Sequence, residues 1–263
     1  MVWSCLVSIL PGMAQTEKLT DYVNPFVGTD GYGNVYPGAQ IPFGGIQISP
    51  DTDSRFYDAA SGYKYNHLTL MGFSLTHLSG TGIPDLGDFL FIPGTGEMKL
   101  EPGTHEDPDQ GYRSRYSHDK EWASPNYYAV ELADYGVKAE MTSGVRSGMF
   151  RFTYPESDNA FIMIDMNHTL WQSCEWSNLR MINDSTITGY KLVKGWGPER
   201  HVYFTATFSK KLTGLRFVQD KKPVIYNTSR FRSSYEAWGK NLMACISFDT
   251  KAGEEVTVKT AIS

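Results

Sequence analysis

Several runs in the second half of the 263-residue chain alternate apolar and polar side chains with a period of two residues. Between Val202 and Phe208 every second residue is apolar, and the residues from Val256 to Ile262 follow a similar pattern. Successive side chains of a β-strand point to opposite faces of the sheet, so this alternation predicts half-buried strands.

Similar strand-like runs recur along the chain, and short turn sequences separate them. They occupy Gly45–Ser49, Phe89–Ile92, Tyr127–Leu132, Val137–Thr142, Met149–Tyr154, Ala160–Asp165, Thr186–Leu192 and Leu242–Phe248. Turn sequences such as Lys251-Ala252-Gly253 favour direct strand-to-strand connections over crossover helices. The best helix candidate, around Tyr235–Leu242, is brief and contains Gly239. We therefore predict an all-β fold, a large antiparallel β-sandwich with few short helices, in one domain over residues 15–263.

The first 14 residues resemble the remnant of a secretory signal. An apolar run from Val2 to Leu10 precedes the small residues Gly12 and Ala14, although no Lys or Arg precedes the run. We therefore expect a secreted or periplasmic protein. Elsewhere no run of 18 apolar residues occurs, so no transmembrane segment is expected. In an oxidising compartment Cys174 and Cys245 could form a disulfide, or they could be two buried thiols in strands.

The charge of the chain argues against nucleic acid as a partner. The formal net charge is −5, and the 24 Lys and Arg residues are scattered rather than clustered in a basic stripe. Phosphate backbones are bound by such stripes, so nucleic-acid binding is not expected.

Asp85 and Asp88 are the candidate carboxylate pair for acid–base chemistry. Glycosidases use two carboxyl groups that flank the bond to be cleaved. A Pro-Asp-x-Gly-Asp loop is also an ordinary turn in which aspartates accept hydrogen bonds from local backbone amides. Both interpretations remain open at this stage. The six histidines are dispersed and show no metal-binding spacing.

Residues 22–88 carry several Gly- and Pro-rich motifs in a distinctive order. The motifs are Tyr22–Thr29, Asn34–Ala39, Pro42–Thr52, Ser61–Tyr65, Gly72–Gly82 and Asp85–Asp88, followed later by Gly195–Gly197 and His201–Phe204. Together they closely resemble the N-terminal domain of glycoside hydrolase family 92, the calcium-dependent exo-α-mannosidases of glycan-degrading bacteria. The resemblance extends from about residue 21 to the end of the chain.

The resemblance implies a two-part enzyme that trims N-glycans or mannans. It implies a galactose-mutarotase-like supersandwich packed on a C-terminal (α/α)6 barrel, with the site between them, in the periplasm of a Gram-negative bacterium. Such enzymes invert: one carboxyl protonates the leaving oxygen while another activates water. In the family the acid, the base and the calcium ligands come mainly from the barrel. Calcium is thus implied for the full-length enzyme, and none is expected to be bound by this chain alone.

The chain ends at Ser263, at the end of a predicted strand, where the family continues into the barrel. We therefore expect the barrel to be lost or separately encoded, no catalytic residue in this chain, and no hydrolysis by it alone. Two alternatives remain: a stand-alone carbohydrate-binding module, and a truncated gene product without function.

The resemblance directs attention to two loops as the glycan-facing surface. The candidate substrate-binding residues are Asn34, Tyr36 and Pro37 in the first loop, and His77, Ser79, Gly80, Thr81, Gly82 and Asp85 in the second. Their chemistry fits, because His77, Ser79 and Asp85 can bond vicinal hydroxyls and Tyr36 can stack on a sugar ring. The alternative role of His77 is to tie down its Gly-rich loop. We expect Trp196 to lie in the core.

Overall fold

The computed structural model describes residues 17–54, 59–225 and 236–263, and the predicted signal remnant lies outside them. Within these ranges the chain forms eighteen strands and three short 3-10 turns, Leu19–Tyr22, Pro108–Gln110 and His118–Lys120. The strands are β1 (Ser49–Asp51), β2 (Thr69–Leu70), β3 (Gly72–Ser74), β4 (Leu90–Thr95), β5 (Ser114–Arg115), β6 (Glu121–Ser124), β7 (Tyr127–Leu132), β8 (Val137–Ser143), β9 (Ser147–Tyr154), β10 (Ser157–Asp165), β11 (Ser173–Asn183), β12 (Thr186–Lys194), β13 (Arg200–Phe208), β14 (Gly214–Gln219), β15 (Lys222–Pro223), β16 (Glu236–Gly239), β17 (Leu242–Thr250) and β18 (Glu254–Ile262).

Two large antiparallel sheets contain all but two of these strands. One sheet has nine strands in the order β16-β11-β12-β13-β18-β9-β8-β7-β6, and the other has seven in the order β1-β3-β4-β10-β17-β14-β15. Strands β2 and β5 form a separate antiparallel pair. The predicted all-β antiparallel fold is therefore confirmed.

The space between the two sheets holds one apolar cluster to which both contribute. Phe91 of the seven-stranded sheet packs on Phe150 of the nine-stranded sheet, with ring centroids 4.9 Å apart. The alternation predicted for β13 is present, because residues 202, 204, 206 and 208 are buried and Tyr203 is exposed. The period of two in the sequence thus marks the inward face of the sandwich.

The seven-stranded sheet is buried on its outer face as well. All residues from Ala160 to Ile164 in β10 are buried, and a second cluster on the outer face, which includes Tyr112, is flanked by Met98, Leu100 and Tyr135. When both faces of a strand are buried, its side chains are apolar on both sides, so the sequence is a continuous apolar run like that of β10. Cys245 lies in this second cluster, and both it and Cys174 are free buried thiols, one of the two alternatives expected.

The structure corrects several of the predicted elements. The helix candidate at 235–242 is wrong, because Glu236–Gly239 forms edge strand β16, paired with β11 through Ser177 and Gly239. The strands β11 and β14 were not predicted, and in β11 two irregularities in pairing interrupt the alternation. In the predicted strand Gly45–Ser49 only Ser49 is in a strand, since β1 spans Ser49–Asp51.

Candidate functional site

The two Gly-rich loops that were predicted to face glycan lie against each other. The backbone N–H of Gly80 donates to the carbonyl oxygen of Asn34 over 2.7 Å. A Cβ atom built on Gly82 would lie 3.5 Å from Nδ2 of Asn34, and Asn34 itself adopts a positive φ of 52°. The fold therefore joins residues that are more than forty positions apart into one surface.

The nine candidate residues divide by exposure. Ser79, Gly80 and Thr81 are exposed, and Asn34 and Gly82 are partly exposed. The other four, Tyr36, Pro37, His77 and Asp85, are buried. Only the first five present surface to a ligand, so the buried four can act by holding the loops in place.

Tyr36 and Trp196 differ most from their expected surroundings. Tyr36 is only 6% exposed, its hydroxyl donates to the side-chain oxygen of Gln40, and burial raises its pKa well above the usual range. Its ring packs on His77 rather than standing open for stacking. The expectation that Trp196 lies in the core is wrong, because this side chain is 57% exposed.

His77 belongs to a buried cluster around the carboxylate of Asp51. Its Nε2 lies 2.8 Å from Oδ1 of Asp51, and Nε2 of His168 lies 2.8 Å from Oδ2. The other nitrogen of His77 lies 2.7 Å from the carbonyl oxygen of Gln47. Burial alone would raise the pKa of Asp51, but the two imidazoles outweigh burial and hold it well below the usual range. Asp51 thereby ties the second Gly-rich loop to the β10–β11 connection.

Asp88 is neutralised by two cations inside the protein. Its carboxylate lies 3.0 Å from Nζ of Lys191 and 2.5 Å from Nη1 of Arg200, and it accepts a hydrogen bond from Thr76. Burial opposes ionisation, but Lys191 and Arg200 lower the pKa of Asp88 to about 2. A fully buried carboxylate that is already paired cannot touch a substrate.

Asp85 accepts backbone hydrogen bonds from its own turn and from the β12–β13 connection. The donors are the N–H of Leu86 at 2.7 Å and that of Trp196 at 3.2 Å. Together with the pairing of Asp88, this arrangement favours the turn interpretation of the Asp85–Asp88 motif over a catalytic carboxylate pair.

A cavity of about 1000 Å³ lies beside these loops and was not predicted from the sequence. Its lining includes Asp165, Asn167, His168, Trp171 and Gln172, from the end of β10 and the β10–β11 connection. This wall contacts the second loop: the side-chain amide of Gln172 donates to the carbonyl of Pro84 over 2.7 Å. The usable sequence signal is a strand that ends in Asp165, followed within seven residues by Asn, His, Trp and Gln.

The described residues do not fit the calcium ion that the resemblance implies for the full-length enzyme. Across ranges 17–54, 59–225 and 236–263, no group of three or more His, Cys, Asp or Glu side chains could hold a metal ion. The buried carboxylates of Asp51 and Asp88 already bond imidazole, ammonium or guanidinium groups, whereas calcium needs six to eight oxygen ligands.

Comparison with solved structures places this sandwich among glycosidase domains. It superimposes on the GH92 family glycosyl hydrolase ccman5 with a TM-score of 0.76 and 25% identity, covering 93% of this chain and 32% of that one. The family GH92 inverting mannosidase BT2199 from Bacteroides thetaiotaomicron VPI-5482 shares the fold, with a TM-score of 0.75, 24% identity, and 94% and 32% coverage.

The sequence comparison identifies the family. The model of the glycosyl hydrolase family 92 N-terminal domain matches residues 22–263, and the chain belongs to this family. A protein of Arthroderma benhamiae, described as an uncharacterized secreted glycosidase, is 30% identical over 139 residues, which cover 52% of this chain and 17% of the fungal protein. The chain thus spans less than a third of these relatives. No helix in the described ranges is long and apolar enough to cross a membrane.

Proposed function

We propose that this chain forms the substrate-facing β-sandwich wall of an inverting exo-α-mannosidase that trims N-glycans or mannans. The observation that carries the proposal is the junction of the two Gly-rich loops at Asn34 and Gly80, in a chain that belongs to family 92. A related structure is that of an inverting mannosidase, which supports the mannoside as substrate class.

The exposed part of the loop junction suits recognition of hydroxyl groups. The Ser79 hydroxyl can donate and accept, whereas the Thr81 hydroxyl donates to the carbonyl oxygen of Ile83 over 3.0 Å and can still accept. Between them Gly80 leaves the backbone open, with no atom within 4 Å of a Cβ built on it. Sugars are held by such mixed donors and acceptors. The wall therefore binds and orients the mannosyl group rather than transferring protons to it.

The acid and the base of the reaction lie outside the described residues in this proposal. Of the two candidate carboxylates, Asp88 is paired and fully buried, and Asp85 is bonded to backbone amides. An inverting enzyme needs one carboxyl group to protonate the leaving oxygen and another to activate water. A helical barrel, on the same protein or on a partner, supplies both groups and the calcium ligands.

We also propose secretion, to the periplasm of a Gram-negative bacterium. The apolar run from Val2 to Leu10 supports a signal sequence, and the fungal relative is described as secreted. N-terminal sequencing of the protein from the producing cell tests this, with a start near Gln15 expected. Retention of residues 1–14 in the mature protein would contradict the proposal.

Calorimetry with methyl α-D-mannopyranoside tests binding, and 4-nitrophenyl α-D-mannopyranoside tests hydrolysis. We expect the purified chain to bind with a Kd of about 1 mM and to release no nitrophenol. The double change Ser79→Ala with Thr81→Val weakens binding about tenfold, because both hydroxyls are lost. Thr207→Val, which removes an exposed hydroxyl from β13, is the matched control and leaves binding unchanged.

Two results would contradict the proposal. Absence of heat at tens of millimolar mannoside rules out a substrate-binding wall. Nitrophenol release by the chain alone would show that it carries its own acid and base, and would return attention to Asp85 and Asp88. Adding a family 92 helical barrel tests the alternative of an independent binding module. If the chain is one wall of an enzyme site, it increases the rate of hydrolysis by the barrel, whereas an independent module leaves that rate unchanged.

A further inference from the structure

We propose that the 1000 Å³ cavity is a subsite for one neutral pyranose ring, which stacks on Trp171 and bonds Asp165 and Asn167 through its hydroxyls. This inference rests on the proposed function, since it names the part of the site that holds a sugar ring. It uses the β10–β11 connection, which lies outside the Gly-rich loops.

Trp171 exposes its indole at the cavity, in a connection whose neighbouring residues are held by hydrogen bonds. The indole is 64% exposed, and the residue has a φ of 78°, a conformation that bulky side chains rarely adopt. Its neighbours on both sides are held: the N–H of Leu170 donates to the carbonyl of Leu86 over 2.9 Å, and Gln172 bonds Pro84. Backbone strain that the surroundings maintain is concentrated at ligand sites, and here its result is an aromatic face open at the cavity.

Asp165 supplies a hydrogen-bond acceptor with spare capacity at the same cavity. Its Oδ1 accepts the backbone N–H of Asn167 over 2.8 Å and its Oδ2 accepts the hydroxyl of Tyr112 over 3.5 Å, and a carboxylate offers about four lone-pair sites. Burial raises the pKa of this carboxyl group above its usual value. Desolvated acceptors gain from a hydroxyl donor, and the exposed side-chain amide of Asn167 can both donate and accept beside it.

The charges around the cavity exclude an anionic ligand. Lys221 is paired with Glu101 at 2.5 Å, and Lys240 is paired with Glu175 at 3.3 Å. Both lysines line the cavity but are neutralised, while Asp165 adds negative charge. A phosphate or carboxylate ligand would therefore be repelled. A neutral polyhydroxylated ring matches an aromatic face, an acceptor and an amide, and the volume is at the upper end of small-molecule sites.

The test measures binding of methyl α-D-mannopyranoside to the chain by calorimetry and by tryptophan fluorescence. We expect Trp171→Ala and Asp165→Asn each to weaken the binding event at the cavity about tenfold while the one at Ser79 and Thr81 is kept, and Trp171→Phe to retain cavity binding within about threefold because a ring remains. Trp122→Ala is the matched control: that indole is 44% exposed on β6 and does not line the cavity. It leaves the affinity unchanged.

Unchanged affinity in Trp171→Ala overturns the proposal that the cavity is a subsite. If the Ser79→Ala/Thr81→Val variant nevertheless weakens binding, the proposed function stands without this subsite. Absence of binding by the unaltered chain overturns both. Tighter binding of inorganic phosphate, or of the cationic methyl glucosaminide, overturns the neutral ligand. Thermal unfolding of each variant checks the fold, and a Trp171→Phe protein that binds as weakly as Trp171→Ala would count against stacking.

Discussion

Buried ion pairs connect the segments that surround the loop junction. Asp88 bonds Lys191 and Arg200 of the nine-stranded sheet, and Asp51 bonds His77 and His168. A carboxylate removed from water is tolerated only when such partners replace its hydration. Each pair therefore makes the position of a loop depend on the charge of one side chain.

The depressed pKa of Asp88 predicts a defined pH window of stability. The folded value is about 2 and the ordinary value is 3.8, so this group stabilises the fold above about pH 4. Its contribution, about 2 kcal/mol, is lost as the pH falls from about 4 to about 2, because the unfolded chain takes up the proton first. Urea titrations between pH 2 and 5 should show a steeper loss of unfolding free energy in the unaltered chain than in Asp88→Asn. Parallel pH profiles would contradict the prediction.

At the scale of elements, the Gly-rich loops owe their shape to backbone conformations that side chains resist. Gly62 has a φ of 86°, and a Cβ atom there would lie 2.1 Å from Oδ1 of Asp51. Gly80 has a φ of 74°, but its virtual Cβ meets nothing within 4 Å. A side chain at either position would be strained by the positive φ, but only at Gly62 would it also clash with a neighbouring residue.

Comparing Gly62→Ala with Gly80→Ala separates these two effects. Gly80→Ala is expected to cost about 1 kcal/mol, because only the positive φ is disfavoured. Gly62→Ala is expected to cost more than about 3 kcal/mol, because the methyl group also displaces the buried Asp51 from His77. Urea unfolding of both variants measures the difference. Equal costs would show that the contact between Gly62 and Asp51 does not constrain the loop.

For the molecule as a whole, the inner faces of the two sheets pack into one shared apolar core, and neither inner face has a core of its own. Phe150 in β9 contacts Phe73, Phe91 and Phe152, so aromatic rings from both sheets meet at one position. Packing of this kind couples the sheets, and unfolding of one exposes the inner face of the other.

Phe150→Ala should therefore destabilise the chain in a single transition. Removing a fully buried ring costs about 3–5 kcal/mol. Near- and far-ultraviolet circular dichroism should report coincident melting in the variant as in the unaltered chain. Val145→Ala, at a 63% exposed position between β8 and β9, is the control and should change stability by less than about 0.5 kcal/mol. Two separate transitions would show that the sheets unfold independently.

Prediction from sequence succeeded best for regular strands and least for side chains in loops. The strand Tyr127–Leu132 was predicted with the bounds that β7 has, because alternation is a local property. Strand β11 was missed where its pairing is irregular, and the brief helix candidate around Tyr235–Leu242 contains a segment, Glu236–Gly239, that pairs at a sheet edge. Among the site candidates, Ser79 and Thr81 lie at the surface as a ligand contact requires, whereas Tyr36 is buried.

The sequence alone determined the all-β fold and the family, because strand periodicity and an ordered set of Gly- and Pro-rich motifs depend only on residues that are close together in the chain. Only the tertiary structure decided how the site is built. Asp51 and His168 are 117 positions apart, yet they form one buried pair. The cavity likewise joins Ser54, Asp165 and Asn241 from separate segments. Burial, ion pairing and enclosed volume depend on which distant segments pack together, and no local pattern records that packing.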